Sequence, residues 1–266
     1  MYENVLVSVG RHNTEECLEL AHSLGLGVEI MAFAFPDVLD GDVQTEIARY
    51  RQLLAGLAGP VTLHGPFFDM VSGSLDERIN ALCTQRYQQA IRIAAELGAR
   101  QIVLHANFIG SLHNLNYREG WHERSVTFWQ PIVEFAEAQG VPIALENMWE
   151  FDPTIITNLL QAIQSPYLRA CLDIGHAHIF SNPEFDLSAW IEAFAPWLIH
   201  FHMNNNNGVI DEHHAFDWEK GTLDYHQILP PLRAQFPQAL FVLEMDTVED
   251  MRASLPYFIT QQTIEE

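Results

Sequence analysis

The chain has 266 residues, of which 48% are hydrophobic, and its formal net charge is −22 because 35 acidic residues outnumber 13 Lys and Arg residues. The apolar content is typical of a globular protein, and no apolar run approaches the roughly 20 residues that a membrane-spanning helix requires. A field of this sign repels nucleic acid phosphates and anionic membrane surfaces. We therefore expect neither nucleic acid nor membrane as a partner.

The cysteines indicate the cellular compartment, and the single lysine bears on the type of catalysis. The three cysteines (Cys17, Cys83 and Cys171) are isolated, odd in number and without CxxC spacing. This is typical of buried thiols in a reduced, cytoplasmic protein, and the first residues do not resemble a secretory signal. Lys220, the only lysine, lies in a polar stretch, which argues against Schiff-base catalysis because that chemistry requires a desolvated lysine.

Short apolar runs alternate with amphipathic segments along the chain. Strands are predicted near Val5–Ser8, Gly27–Phe33, Val61–His64, Gln101–His105, Pro142–Glu146, Ala170–Asp173, Leu198–His202 and Leu240–Glu244. Helices are predicted over Thr14–Leu24, Val43–Leu57, Asp76–Leu97, Trp121–Gln139, Thr154–Ile163, Asp186–Phe194, Tyr225–Gln235 and Val248–Phe258. Gly25, Gly98 and Gly140 follow helical segments, as glycines that end helices do.

This alternation predicts an α/β fold, a (β/α)₈ TIM barrel that forms a single domain over residues 1–266. The rival architecture, a doubly wound sheet, would normally carry a glycine-rich phosphate loop after its first strand. The first turn reads SVGRHNTEE and contains neither GxGxxG nor GxxxxGK[ST]. The barrel is therefore favoured.

Four predicted strands end in a potential metal ligand. The runs VPIALEN, RACLDIGH, WLIHFHM and ALFVLEM contain Glu146, Asp173, His202 and Glu244, respectively. The carboxyl ends of barrel strands converge on one mouth, so these side chains are expected to meet there. A charge at the end of a buried run is unfavourable unless it is compensated, and one divalent cation would compensate all four. Three carboxylates and one imidazole suit Mn²⁺, Zn²⁺ or Co²⁺, and Mg²⁺ is a further candidate.

Five more positions could extend this site as metal ligands or substrate-binding residues. His64 and His105 end the third and fourth strands, His176 follows Asp173, and Asp211 and His213 lie in the loop after the seventh strand. Any one of these histidines could be an ordinary hydrogen-bonded structural residue. Their common position at one rim favours a functional role, and the number of bound ions is left open.

Seven motifs, LHGPF, VLHAN, ALEN, CLDIGH, HFHMNNN, DEH and VLEM, resemble those of the xylose isomerase-like TIM-barrel superfamily, which includes sugar isomerases, sugar epimerases and endonuclease IV. Resemblance to the epimerases implies one metal held by Glu146, Asp173, His202 and Glu244. It also implies that Glu146 and Glu244 act as the catalytic acid/base pair and that His176 contacts the substrate. Resemblance to endonuclease IV implies a set of nine zinc ligands, and all nine have counterparts here: His64, His105, Glu146, Asp173, His176, His202, Asp211, His213 and Glu244.

The main expectation is a metal-dependent isomerase or epimerase that acts on a small sugar or polyol, with proton transfer through a metal-stabilised enediolate. The same strand-end residues would serve a dehydratase or lyase that acts on a polyol or keto acid. A binding protein without turnover should have lost a ligand, and none is lost. An endonuclease IV-like phosphodiesterase needs phosphate contacts, but the rim loops 65–75, 106–117 and 203–219 contain no Lys or Arg.

Substrate specificity is expected to come from the rim. Asn147 and Asn107 offer donors and acceptors for sugar hydroxyls, and Trp149 offers a flat wall, so these three are predicted to bind substrate. Further candidate walls, each of which could equally be ordinary packing, are Phe67, Phe68, Phe108 and Trp218.

Arginines near the predicted mouth are few. Ketose 3-epimerases of the superfamily carry an arginine shortly after the histidine of strand seven, and residues 203–219 contain none. Arg11 is the only arginine expected near the mouth, and Glu29 could either reach the mouth or pair within the core. Homo-oligomer formation is left undecided.

Overall fold

The computed structural model describes residues 2–112 and 114–259, and its strands form one closed parallel barrel in chain order. The strands are β1 (Val5–Val9), β2 (Gly27–Ile30), β3 (Val61–His64), β4 (Ile102–His105), β5 (Ile143–Glu146), β6 (Leu168–Asp173), β7 (Leu198–Met203) and β8 (Leu240–Leu243). β1 pairs with β8, Val5 beside Phe241, and this pairing closes the barrel. The predicted (β/α)₈ TIM barrel is confirmed.

Helices connect the strands and cover the outside of the barrel. They are α1 (Thr14–Leu24), α2 (Pro36–Leu39), α3 (Val43–Leu53), α4 (Glu77–Leu97), α5 (Leu115–Gln139), α6 (Thr154–Ile163), α7 (Ile174–Phe180), α8 (Leu187–Phe194), α9 (Tyr225–Gln235) and α10 (Val248–Ser254). Gly98 and Gly140 follow α4 and α5 with φ of 69° and 72°, the left-handed conformation that ends a helix. Within the described ranges, no helix has the length and apolar character needed to cross a membrane.

Several predicted boundaries were wrong, and the shifts of β2 and α5 have a local cause. β2 ends at Ile30 rather than Phe33 because a 3-10 turn, Ala32–Ala34, follows it. α5 begins at Leu115 rather than Trp121, since the Asn114 side chain accepts a hydrogen bond from the Tyr117 amide and caps the helix there. α3 ends at Leu53 rather than Leu57, and the last predicted helix turns into a 3-10 helix at Leu255–Phe258.

Two short helices were not predicted at all. α2 begins at Pro36, where the fixed φ of proline suits the first turn. α7 starts directly after Asp173, whose carboxylate accepts a hydrogen bond of 2.6 Å from the His176 amide. A carboxylate that was predicted only as a metal ligand therefore also caps a helix.

The interior of the barrel is polar towards the mouth. Two small apolar clusters fill its lower part, one formed by Leu6, Leu240 and Val242 and the other by Val103, Ala144 and Cys171. Side chains two residues apart on a strand share a face, so the residues that follow these on the inner face point towards the mouth. Those residues are His105, Glu146, Asp173 and Glu244.

Candidate metal centre

The four strand-end ligands form one buried cluster, which we call the deep group: Glu146, Asp173, His202 and Glu244. One ligand atom from each lies within 4.8 Å of the others. Nδ1 of His202 is central, 3.0 Å from Oε2 of Glu244 and 3.2 Å from Oε1 of Glu146. All four side chains are buried, and the most exposed, Glu244, is 8% exposed.

The deep group suits a divalent cation. Nδ1 of His202, Oε2 of Glu146 and Oε2 of Glu244 are buried and have no hydrogen-bond partner among the described residues. Buried polar atoms are rarely left unpaired, and three carboxylates carry more charge than one imidazolium neutralises. A cation bound at these oxygens and this nitrogen would satisfy both the ligands and the charge.

The electrostatics of the deep group reflect a need for positive charge. Burial tends to raise the pKa of Glu146 and Glu244, but the neighbouring histidines, His202 first among them, together outweigh it: they hold the pKa of Glu146 well below its usual value and lower that of Glu244 to about 2. Burial dominates at Asp173 and raises its pKa to about 6. Burial also opposes protonation of His202, yet surrounding negative groups, Glu244 and Glu146 among them, raise its pKa well above 6.5. Histidine protons thus supply charge that a bound cation would replace.

Two further groups adjoin the deep group. The first, the side group, consists of His64, His105 and Glu146; Oε2 of Glu146 lies 3.4 Å from Nε2 of His64 and 3.1 Å from Nε2 of His105. Glu146 therefore belongs to both the side group and the deep group. An ion in each would share this carboxylate.

The other, the rim group, consists of His176, Asp211 and His213. The carboxylate of Asp211 lies 3.4 Å from Nε2 of His176 and 3.3 Å from Nε2 of His213. Its neighbours raise the pKa of His213 to about 9, because the hydrogen bond to Asp211 and the charge of Glu244 outweigh the effect of burial. All nine residues predicted as ligands are thus brought together in three adjoining groups, and metal binding by them stays a prediction.

Backbone carbonyls orient three of these histidines. Nδ1–H of His64 donates to the carbonyl of Gly65 at 2.9 Å. In the same way, Nδ1–H of His176 donates to the carbonyl of Asn147 at 3.0 Å, and Nδ1–H of His213 donates to the carbonyl of Glu244 at 2.9 Å. A carbonyl can only accept, so the proton on Nδ1 is held there and Nε2 of each ring is the nitrogen that can lose its proton and offer a lone pair to a cation. That nitrogen faces the carboxylate of its group in each case.

The asparagine-rich segment after β7 builds the rim loop, which we define as residues 204–223. Asn205 is 1% exposed, and its side chain donates to the carbonyls of Phe216 and Leu223. Its Oδ1 accepts from the amides of Asn206 and Leu223. This segment therefore holds the loop that carries Asp211 and His213 in place.

A cavity of about 400 Å³ opens at the mouth of the barrel above the deep group. It is lined by Ser8, Gly10, Arg11, His12, Asn13, Met31, Phe35, His64, Phe67, His105, Glu146, Met148, His176, Asp211, His213, Glu244, Met245 and Asp246. Arg11 and Phe67 lie where the sequence predicted, although the Arg11 guanidinium pairs with Asp37 at 2.8 Å. Met31, Met148 and Met245 were missed, although each lies one or two residues beyond a strand end.

The three predicted substrate-binding residues lie outside this lining. Asn147 donates to the carbonyl of Asp173 and accepts from its amide, at 3.0 and 2.9 Å, so it links the ends of β5 and β6. Asn107 is buried, has φ of 60° and donates to the hydroxyl of Tyr87. Trp149 is 45% exposed and lines a separate surface cavity with Ile109 and Phe180. Direct substrate contact by these residues stays a prediction.

The other candidate walls are placed differently from Phe67. Phe108 is fully buried and packs edge-on against Trp121, Phe68 is 45% exposed, and Trp218 stacks on His214. Glu29 pairs within the barrel core rather than reaching the mouth, with Oε1 at 2.8 Å from Nε2 of His202. This places it beneath the deep group.

Two proteins of Methanocaldococcus jannaschii are similar in sequence. The chain is 29% identical over 196 residues to the uncharacterised protein MJ1311, a match that covers 71% of this chain and 66% of that protein. It is 25% identical over 192 residues to the uncharacterised protein MJ1614, with 71% and 72% covered. The match thus spans about two thirds of the length of MJ1311.

Solved structures show the same fold over nearly the whole chain. The TTHB071 protein from Thermus thermophilus, in a crystal soaked with ZnCl₂, has a TM-score of 0.80 and 27% identity, and the match covers 96% of both chains. A D-tagatose 3-epimerase-like protein also has a TM-score of 0.80, with 25% identity and coverage of 95% and 94%. The model of the family described as xylose isomerase-like TIM barrel matches residues 13–261, and the chain therefore belongs to this family.

Proposed function

We propose that the protein is a divalent-metal-dependent isomerase or epimerase that acts on a small sugar. The observation that carries the proposal is the deep group, in which Glu146 and Glu244 both lie about Nδ1 of His202 and both line the mouth cavity. The family membership and the likeness to a D-tagatose 3-epimerase-like protein support this substrate class. A cavity of about 400 Å³ suits one small ligand.

The residues of the deep group have separable tasks in this proposal. Glu146, Asp173, His202 and Glu244 would hold the cation. A bound cation would polarise the carbonyl of the substrate and so acidify the neighbouring C–H bond. One of the two glutamates removes that proton and the other returns one. Each glutamate has an oxygen without a hydrogen-bond partner among the described residues. A proton-transfer group must be within hydrogen-bond reach of its proton, and both glutamates line the substrate cavity.

The position to which the proton returns decides the reaction. Return to the opposite face of the same carbon inverts it, return to the neighbouring carbon interconverts aldose and ketose, and loss of a β-hydroxyl gives dehydration. The same two glutamates serve all three outcomes. A dehydratase or lyase is therefore a variant of the same proposal.

The direct test is solvent isotope exchange. The protein would be loaded with Mn²⁺, Co²⁺ or Zn²⁺ and incubated with a panel of free aldoses and ketoses in D₂O, and the products analysed by NMR and mass spectrometry. We expect deuterium at the carbon beside the carbonyl, and we expect Glu244→Gln to reduce that exchange by about 100-fold or more. Turnover without exchange would contradict proton transfer, and absence of turnover with every sugar would contradict the proposal.

A second function, metal-dependent phosphodiester hydrolysis, is favoured by one observation. Three ligand groups adjoin one another, and Glu146 belongs to two of them, which is an arrangement suited to several ions. Against it, the net charge is −22 and the loops 65–75, 106–117 and 203–219 carry no Lys or Arg to contact phosphates. Cleavage of an abasic duplex by the Zn²⁺-loaded protein at low salt would establish this second function, and an intact duplex would exclude it.

A further inference from the structure

We propose that Glu29 is a positioning residue for the metal-binding histidine: it holds Nε2 of His202 so that Nδ1 is presented to the cation. This inference rests on the proposed metal site and deepens it. Glu29 lies on β2, is fully buried, and places Oε1 2.8 Å from Nε2 of His202. The opposite nitrogen of the same ring lies between Glu146 and Glu244.

The proposed metal site leaves one arrangement of the ring that is consistent with it. Nδ1 of His202 lies among the carboxylates that would share the cation, so it must offer a lone pair there. The ring proton then resides on Nε2, opposite the carboxylate of Glu29. An ionised carboxylate can only accept, and it therefore favours the tautomer that metal binding requires.

Other side chains hold Glu29 itself in place. Its Oε2 accepts a hydrogen bond of 2.8 Å from Oγ1 of Thr62 and lies 3.2 Å from Nε2 of His200. Nδ1 of His200 lies 2.6 Å from Nε2 of Gln101. The amide nitrogen of Gln101 can only donate, so Nδ1 of His200 accepts and its proton lies on Nε2, facing Glu29. Proton donors from neighbouring segments of the barrel thus surround the carboxylate.

This arrangement differs from that of the neighbouring histidines. His64, His176 and His213 each donate Nδ1–H to a backbone carbonyl. Such a carbonyl is neutral, and a side-chain substitution does not remove it. At His202 the second nitrogen instead faces the carboxylate of Glu29 at 2.8 Å, which is closer than the carboxylate oxygens 3.3 Å from Nδ1 of His176 and 4.0 Å from Nδ1 of His213. A charged partner raises the basicity of the coordinating nitrogen more than a carbonyl does, and it can be removed by mutation.

The test is a Co²⁺ titration of the metal-free protein and its Glu29→Gln variant, followed by visible absorption of the bound ion. We expect Glu29→Gln to weaken the tightest Co²⁺ site by about 10- to 100-fold and to change its absorption spectrum. Glu150→Gln is the matched control, because it makes the same change at a carboxylate that is equally buried and contacts backbone amides of Phe108 and Met148 instead. That control should keep the wild-type affinity and spectrum.

The outcomes separate this inference from the proposed function. If wild-type protein binds no Co²⁺, the metal site itself is wrong. If it binds Co²⁺ and Glu29→Gln binds it equally well with the same spectrum, Glu29 has no positioning role. Should Glu29→Gln not fold, ¹⁵N-histidine NMR of the wild-type Zn²⁺ form decides instead: a proton on Nε2 of His202 supports the inference, and a proton on Nδ1 overturns it.

Discussion

The deep group and the rim group use similar side chains but are held in different ways. The deep group lies at the ends of β5 to β8, and its four side chains are almost completely buried. The rim group depends on a loop, and the side chains of Asp211 and His213 are 30% and 21% exposed. Strand ends fix a ligand through the barrel itself, whereas loop ligands rely on local hydrogen bonds. We therefore expect an ion in the deep group to exchange more slowly than one in the rim group.

The largest effect should follow removal of the only nitrogen ligand of the deep group. His202→Ala leaves three carboxylates to hold the ion and opens a gap above Glu29. We expect the affinity for the metal to fall by more than the roughly 10- to 100-fold that follows substitution of a residue bonded to a metal ligand. Sugar turnover should be lost. Metal analysis and Co²⁺ titration measure this, with His214→Ala, a histidine outside all three groups, as the control. One ion bound at wild-type affinity by His202→Ala would disprove the assignment.

The rim group should be separable from the deep group by a change that touches no ligand. Asn205→Ala leaves the carbonyl of Phe216 and the amide of Asn206 without their side-chain partner, which should destabilise the rim loop by about 3 kcal/mol. We expect faster amide hydrogen exchange over residues 206–214 and weaker binding of a rim ion, with the deep ion unchanged. Asn158→Ala, at an exposed position on α6 outside the rim loop, is the control. Equal loss of both ions would show that the two groups are one unit.

Glu150, which belongs to neither the deep group nor the rim group, should make the stability of the fold depend on pH. Burial raises its pKa from 4.5 to about 7, although the amides of Met148 and Phe108 donate to it. The folded protein therefore prefers the neutral acid, and this stabilisation is complete below about pH 4 and is lost as the pH rises through about 7. The expected loss is on the order of 3 kcal/mol by pH 8.

Glu150→Gln should remove this component of the pH dependence. Urea unfolding of wild type and variant at pH 5 and pH 8 measures the change, and we expect the difference between the two pH values to be smaller in the variant. An identical pH dependence would show that the carboxylate of Glu150 ionises normally in the folded protein.

The smallest effect is expected for Asp211→Asn in sugar turnover. The substitution weakens the rim group and leaves the deep group intact, so an isomerase that uses only the deep ion should lose less than about tenfold in kcat/KM. A phosphodiesterase that uses all three groups should lose much more. Parallel rates with the sugar substrate and an abasic duplex distinguish the two functions.

The positions of the candidate ligands could be predicted because two simple regularities were sufficient. Residues alternate between the faces of a strand, and the ends of barrel strands converge, so Glu146, Asp173 and His202 had to meet. Other roles were hidden because they depend on contacts between distant segments. Asn147 was predicted to bind substrate, but its side chain bonds the backbone of Asp173 on the next strand. The helix that begins at Ile174 was missed because its cap was interpreted only as a ligand.

The sequence by itself determined the order of strands and helices, the acidic charge balance that disfavours nucleic acid, and the residues that are able to hold a cation. The tertiary structure alone decided which atoms of these residues would face such a cation. His202 has two ring nitrogens, and nothing in the run LIHFHM distinguishes them. The proposed choice follows from the barrel, which brings three carboxylates about Nδ1 and, in the part of the chain that the structure describes, only Glu29, from β2, against Nε2.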